Sequence, residues 1–414
     1  MATRLTLRRP GPAAWLRPVS VLVVAQEWSS SHGGVSSFNR SLCRGLVEAG
    51  ALVACLVPRC SAEERADAAA PGVALVESAP LPGGTDGQLQ MRRPRLPWVP
   101  DIIVGHDRFT GPAALSLAED HFPSAAFVPF LHIDPDELAP WRQGAEDDAA
   151  QVIEARVRIQ FELSLRAHRV VAVGPRLHER MRRDLSVSPG APAPIRFDPG
   201  FDHDMSPARP PTPGEPVQIL VMGRVDDYKI KGLDLAAKAL AHAVGLCARP
   251  DLEVELLVRG APPRESARLD GMIRDWKGGA DYRVTVRPFT TVHGTLRQDL
   301  HRASLVLKPS RADSWGLVGA EAITACTPIL VSGRGGLGTM LNGLPQVEGA
   351  RSLVVPVTFR EREDVERWGH RIAAVLEERS AAFARVAQVK VALAAERTWA
   401  DSARRLLDAC GDRQ

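Results

Sequence analysis

Short, continuous apolar runs alternate with longer amphipathic ones along this chain; the alternation breaks once, at a proline cluster, and then restarts. Residues 20–25 (Ser-Val-Leu-Val-Val-Ala) form the first run. It is unbroken rather than alternating, which predicts a strand buried on both faces. Val35, Phe38, Leu42 and Leu46 then recur at helical spacing, and Gly50 follows as a stop. Residues 52–57 form a second strand, which completes a βαβ unit with its right-handed crossover. Further strands are predicted at 101–104, 125–130 and 169–173, with a helix over 147–166.

The break falls at 207–216 (Pro-Ala-Arg-Pro-Pro-Thr-Pro-Gly-Glu-Pro), which holds five prolines and no core-forming residue. Such a segment is a semi-rigid linker. Strands then resume at 217–222, 254–258, 284–286, 304–307, 329–331 and 353–355, with helices at 233–244 and after Gly316. The expected fold class is α/β: two doubly wound, Rossmann-like domains facing across a cleft. The boundaries are an extension at 1–18, a first domain at 19–206 and the linker at 207–216. A second domain at 217–385 and closing helices at 386–414 complete the chain. Ligands of doubly wound sheets bind at the carboxyl ends of the strands, so the cleft is the expected site, and the hinge implies closure on a ligand.

Composition narrows the classes. With 414 residues the chain is long enough for two or three domains. A net charge of +3 with 24% charged residues is too balanced for a dedicated nucleic-acid or membrane-surface binder. Six scattered cysteines without a Cys-x-x-Cys pair argue against a disulfide framework or a structural zinc site and suit a reduced, cytoplasmic compartment. Arg8 and Arg9 imitate a targeting signal, but Arg17 and Pro18 interrupt the apolar stretch that one needs. No apolar run reaches the 18 residues of a membrane span.

Four motifs carry chemistry. Gly33-Gly34, between the first strand and its helix, allows close backbone approach beside a helix N-terminus that can take an anion. The plainer reading is a tight turn. Gly223-Arg224 and Lys231-Gly232 follow the first strand of the second domain. An Arg fork with a Lys point charge neutralises a diphosphate without a metal. The chain has only six lysines against 46 arginines, which makes Lys231 notable. Alone, either cation would be a solvated loop residue. Asp313 stands before the helix that starts near Gly316, and Glu321 lies about 12 Å further along it. Two acceptors flanking a helix N-terminus can grip both ends of an elongated anion, with sugar hydroxyls at one end and a ribose at the other. The apolar neighbours of Glu321 indicate a paired or functional carboxylate. Finally, Gly333-Arg334-Gly335-Gly336-Leu337-Gly338 matches G-x-G-x-x-G. It lacks the long helix and the later acid of a dinucleotide site, and is read as a glycine-rich turn lining the cleft. His132 and the pair His106-Asp107 follow strands and sit where cleft residues sit, although structural histidines are equally consistent with the pattern.

Together these residues resemble the retaining, family-four glycosyltransferases of the GT-B fold over about residues 19–407. The resemblance is carried by Gly33-Gly34, the strand and turn at 101–106, His132 and Pro199-Gly200-Phe201-Asp202. Gly223-Arg224, Lys231-Gly232, residues 321–328 and the Trp399 helix complete it. It implies a nucleoside-diphosphate-sugar donor held by the second domain, an unidentified acceptor at the first, and no metal. Arg224 and Lys231 would take the diphosphate, Glu321 the ribose and Asp313 the sugar hydroxyls. Backbone N–H groups of Gly316, Leu317 and Val318 would face phosphate or sugar, His132 the reacting sugar, and Phe289 the base. His106 and Asp107 fall on the acceptor side, as do the loops at 81–98.

Three departures stand out. Asp313 replaces the family's first Glu, Trp315 a usual Phe, and Cys326 the Gly before Thr-Pro, a position that favours φ > 0. They leave open a nucleotide-sugar-binding or regulatory module on the same fold. A dinucleotide-dependent oxidoreductase is the more distant alternative.

Overall fold

A computed structural model describes residues 17–29, 33–141, 146–202, 205–210, 215–225, 228–247, 252–262 and 264–411. Most of the expected extension (1–16) and the middle of the linker (211–214) lie outside the described residues.

Two wholly parallel sheets form the two domains. The first comprises β1 (Ser20–Val24), β2 (Leu52–Val57), β3 (Ala74–Glu77), β4 (Ile102–His106), β5 (Ala126–Leu131), β6 (Val170–Val173) and β7 (Pro194–Phe197). Its order is β3-β2-β1-β4-β5-β6-β7. The second comprises β8 (Val217–Met222), β9 (Val254–Ala261), β10 (Arg283–Pro288), β11 (Leu305–Lys308), β12 (Ile329–Ser332) and β13 (Val354–Val355), in the order β10-β9-β8-β11-β12-β13. Both sheets reverse strand order beside their first strand, which opens a crevice at the carboxyl ends of β1/β4 and β8/β11. Helices cover both faces, so the central strands are buried throughout: β1, β4 and β5 contain no exposed residue.

The sequence pattern locates the central strands of both sheets and the edges of the second, and misses the edges of the first. β3 and β7 have four residues each and are largely half-buried or exposed, so no continuous apolar run marks them. β11 extends one residue beyond its apolar run, to Lys308.

The chain returns to the first domain at its end. Helix Trp399–Gly411 lies along helix Gly34–Glu48. The Trp399 ring packs edge-on against Phe38, with centroids 5.2 Å apart, and lies 6.0 Å from Phe197. Polar bonds fix this crossing: Phe201 N–H donates to Arg397 O, Trp399 N–H to Asp202 Oδ1 and Arg169 Nε to Ala409 O, each at 2.9 Å. The last helix therefore ties the second domain to the first.

Candidate active site in the cleft

On the second domain the site grows from the ends of β8 and β11. β8 ends at Met222, and Gly223-Arg224 turns toward the short helix Tyr228–Lys231. β11 ends at Lys308, whose Nζ pairs with Asp313 Oδ2 and lies 3.4 Å from Ser310 Oγ. Asp313 also accepts the Trp315 N–H. Burial opposes its charge, but Lys308 and Lys231 prevail and hold the carboxyl below its usual range. Gly316 has φ 103° and opens helix Leu317–Thr324. A Cβ there would stand 2.7 Å from Lys308 Cε and would displace the lysine stem, and the left-handed φ itself favours glycine. Glu321 lies along that helix, and burial pushes its carboxyl up despite the nearby Lys308, Arg40 and Arg297. Arg40 comes from the first domain and faces Glu321 across the cleft.

The first domain supplies the opposite wall. A methyl placed on Gly33 would stand 3.4 Å from Arg224 Cδ, and one on Gly34 would stand 3.5 Å from Leu317 Cδ1. The Gly33-Gly34 turn thus meets the cationic loop and helix N-terminus of the second domain. His132 follows β5, and its Nε2 lies 2.9 Å from Nδ1 of His106, the last residue of β4. His106 is 1% exposed, and burial drops its pKa to about 3; burial, with His106 beside it, also pushes His132 down. Both imidazoles are neutral at pH 7.

Asp107 serves the backbone. Its Oδ2 accepts the N–H groups of His132 and Ile133 at 2.8 and 3.2 Å, and Oδ1 accepts from Gln160 Nε2. Burial outweighs these donors and raises its pKa to about 6. Its φ of 47° is a left-handed conformation uncommon outside glycine.

The structure therefore gathers Gly33, Gly34, Arg224 and Leu317 in one place, with Lys231, Asp313 and Gly316 adjoining them. Glu321 and Val318 follow on the same helix. His132, His106 and Asp107 form a separate knot at the ends of β4 and β5. Phe289 stands apart, just after β10, with its N–H on Ala261 O at 2.9 Å. Three strand spacings separate β10 from β11, about 14 Å. The glycine-rich turn is a brace. Gly336 N–H donates to Asp313 O at 3.0 Å and Leu337 N–H to Trp315 O at 2.9 Å. A Cβ on Gly336 would sit 1.9 Å from Ser314 O. Its glycines let two loops touch, so the turn supports the Asp313 loop from behind. Trp315 is buried, with its ring 6.4 Å from Phe201 of the first domain. Cys326 adopts φ 57°, the left-handed conformation that a glycine would take without strain.

Sequence reading passed over Lys308, Asn39 and Gln160. Lys308 was marked by scarcity and by ending a strand on the site's side. Asn39 was marked by being an amide on the apolar face of its helix.

Comparison with known proteins follows the same geometry. Relatives include D-inositol 3-phosphate glycosyltransferase 1 of Catenulispora acidiphila, 29% identical over 257 residues, 59% of each chain. Glycogen synthase of Mycobacterium tuberculosis is 29% identical over 256 residues, 59% of this chain and 55% of that one. The chain thus spans little more than half of these relatives' length. Among solved structures, sucrose-phosphate synthase of Thermosynechococcus elongatus superposes with TM-score 0.67 at 18% identity, covering 95% of this chain and 98% of that one. Anabaena HepE, in complex with UDP and glucose, superposes with TM-score 0.65 at 14% identity, covering 95% and 99%. These likenesses establish the GT-B arrangement of two Rossmann-like domains. The model of family 4 glycosyltransferases in conflict systems matches residues 22–406, and the chain belongs to that family.

Proposed function

We propose that this chain transfers a sugar from a nucleoside-diphosphate sugar to a hydroxyl-bearing acceptor, with retention of anomeric configuration and with protein cations in place of a metal. The observation that carries this reading is the meeting of the Gly33-Gly34 turn with Arg224 and the start of helix Leu317–Thr324, beside Lys231 and Asp313. Departure of a diphosphate from the anomeric carbon builds negative charge on the leaving oxygen. Arg224, Lys231 and the helix N-terminus are placed to stabilise that charge. Glu321 takes the ribose hydroxyls and Phe289 flanks the base, at a separation from Asp313 that suits an elongated donor. Asp313, held as a carboxylate, accepts sugar hydroxyls; His132 meets the sugar from the first domain. With Asp313 engaged by Lys308, attack from the face that the diphosphate leaves accounts for retention without a carboxylate nucleophile. The UDP-bound HepE structure makes uridine diphosphate sugars the first donors to try. The six free cysteines suit a reduced, cytoplasmic setting.

The test is a thermal-shift screen of nucleoside diphosphates and their sugars, followed by transfer and hydrolysis assays, with Arg224→Ala as control. A ligand that binds only the folded protein raises Tm. One sugar nucleotide is expected to raise it. Removing a charge-assisted hydrogen bond costs about 1.5–3 kcal/mol, so Arg224→Ala should weaken binding roughly 10- to 150-fold. No shift with any donor would overturn the donor site. Tight binding with neither transfer nor hydrolysis would instead identify a nucleotide-sugar-binding module.

A further inference from the structure

The two histidines at the ends of β4 and β5 form a hydrogen-bonded line that ends on an amide. Nδ1 of His106 lies 2.9 Å from Nε2 of His132, and Nε2 of His106 lies 3.1 Å from Oδ1 of Asn39. Asn39 is fully buried in helix Gly34–Glu48, with its amide oxygen toward His106 and two buried cysteines beside it. Its Nδ2 donates to Cys55 Sγ at 3.4 Å, and its Oδ1 accepts from Cys43 Sγ at 3.7 Å. Phe38 closes the site, edge-on to His132 at 4.7 Å and to His106 at 6.2 Å, and Phe130 lies 6.0 Å from His106.

With the Asn39 oxygen turned toward His106, proton accounting along this line has one solution. Asn39 Oδ1 carries no hydrogen, so His106 must hold a proton on Nε2 to make the bond. A second proton would put an imidazolium among buried phenylalanine and cysteine side chains, while the carboxylate of Asp107 is already engaged by the N–H groups of His132 and Ile133 and by Gln160. Nδ1 of His106 is therefore bare and accepts. The proton in the 2.9 Å contact then belongs to Nε2 of His132. By the same burial argument His132 carries only that one proton, which leaves its Nδ1 as a lone pair.

We infer that Asn39 and His106 fix His132 as a hydrogen-bond acceptor at Nδ1, so that the cleft selects a substrate group that presents an O–H there and disfavours a carboxylate. Asn39 and His106 are positioning residues, acting through His132. This rests on the glycosyltransferase reading only in assigning the O–H to a sugar; the proton arrangement does not depend on it. Asp107 completes the device from the backbone side. It grips the N–H groups of His132 and Ile133, while Gln160 Nε2 also donates to Ile133 O at 2.8 Å. The ring is held at one end by its main chain and at the other by its neighbour, so its remaining nitrogen has a defined direction and a defined polarity.

The experiment is two-bond 1H–15N correlation spectroscopy of the full chain labelled with 15N-histidine, at pH 7. His132→Gln and His106→Gln assign the two rings. Both rings are expected in the Nε2–H form with a bare Nδ1. An Nδ1–H form of His132, or an imidazolium at either position, overturns the inference. Asn39→Leu is expected to release the tautomer, so that His132 shows a mixture, whereas Asn39→Gln retains a neutral amide acceptor and keeps the Nε2–H form of His132. An unchanged His132 spectrum in Asn39→Leu overturns the assignment to Asn39. Asn39→Gln also shows whether the fold tolerates change at this position. The substrate arm uses UDP-glucose and UDP-glucuronic acid, which differ by a hydroxyl against a carboxylate at the same carbon. The wild type is expected to prefer the hydroxyl donor tenfold or more in Kd, and Asn39→Leu to narrow that preference several-fold. Equal affinity, or preference for the uronic acid, overturns the selectivity. If neither sugar nucleotide binds, the donor reading fails together with the selectivity, while the tautomer result still decides the relay.

Discussion

The two walls of the cleft keep polar groups in opposite ways: His106 and Asn39 are sealed from solvent, whereas Lys308 and Asp313 are only partly buried. On the first domain His106, His132 and Asn39 are held without charge: desolvation keeps the imidazoles neutral, and neutral hydrogen bonds satisfy them. On the second domain Asp313 keeps its charge: Lys308 and Lys231 are close enough to outweigh its desolvation. The difference teaches which protons each wall can exchange. The neutral wall answers to pH in the range where histidine ordinarily titrates. The ionic wall is indifferent there and answers to the loss of a partner.

Removing a partner should therefore produce the largest effect. Lys308→Met leaves the Asp313 carboxylate buried with Lys231 as its remaining cation. Breaking a buried pair from one side costs about 3–5 kcal/mol. Urea unfolding at pH 7 should register a loss of that size. The double variant Lys308→Met/Asp313→Leu should recover much of it, because no unpaired charge remains. If Lys308→Met is as stable as the wild type, the pair is not the mainstay of that wall.

A smaller effect tests how the ionic wall is supported. Gly336→Ala forces a Cβ to within 1.9 Å of Ser314 O, which must shift. Overpacking of this kind typically costs about 1–3 kcal/mol. The displaced loop carries Asp313, so donor affinity should fall with stability. The matching change on the other wall, Gly34→Ala, meets only the Leu317 side chain at 3.5 Å, an ordinary contact, and should stay within about 0.5 kcal/mol of the wild type. Equal losses from the two substitutions would break the contrast between a braced loop and an open turn.

Legibility in the sequence divides along similar lines. The central strands could be read because burial on both faces leaves an unbroken apolar run, as in β1 and β2. β3 and β7 could not, because a four-residue edge strand needs no such run. Arg224, Lys231, Asp313 and Glu321 could be read as a group because each sits near a strand end or on the helix that follows. The glycine-rich turn was assigned to the cleft surface, whereas its glycines serve backbone contact with a loop some 20 residues earlier. Nothing local in the turn records that contact. Lys308 and Asn39 were visible as oddities of composition, a scarce lysine and an amide on an apolar face. Their partners, Asp313 and His106, are chosen by the packing of strands and helices, which periodicity does not encode.

The neutral wall gives the last prediction, and its sign follows from where the protons go. His106 has a folded pKa of about 3 against an ordinary 6.5. As pH falls below about 6.5 the unfolded chain takes up a proton that the folded protein refuses. Stability fully present above that pH is then lost at about 1.4 kcal/mol per pH unit until the folded value is reached. His132 is lowered too and acts in the same direction. Asp107 opposes them: its folded pKa is raised from 3.8 to about 6, so between those values the folded protein holds a proton that the unfolded chain lacks. Two imidazoles against one carboxyl leave a net loss of stability as pH falls below about 6. His106→Asn removes one imidazole and should shrink that loss. Urea unfolding at pH 7, 6 and 5 checks this. The wild type should lose about 1.4 kcal/mol per unit more than the variant below pH 6.5, while the two run parallel above it. Asp313, held below its usual range, exchanges its proton at lower pH and contributes equally to both proteins. Identical slopes would mean that His106 takes up its proton in the native state, and the contrast between a neutral wall and an ionic one would fail at its first residue.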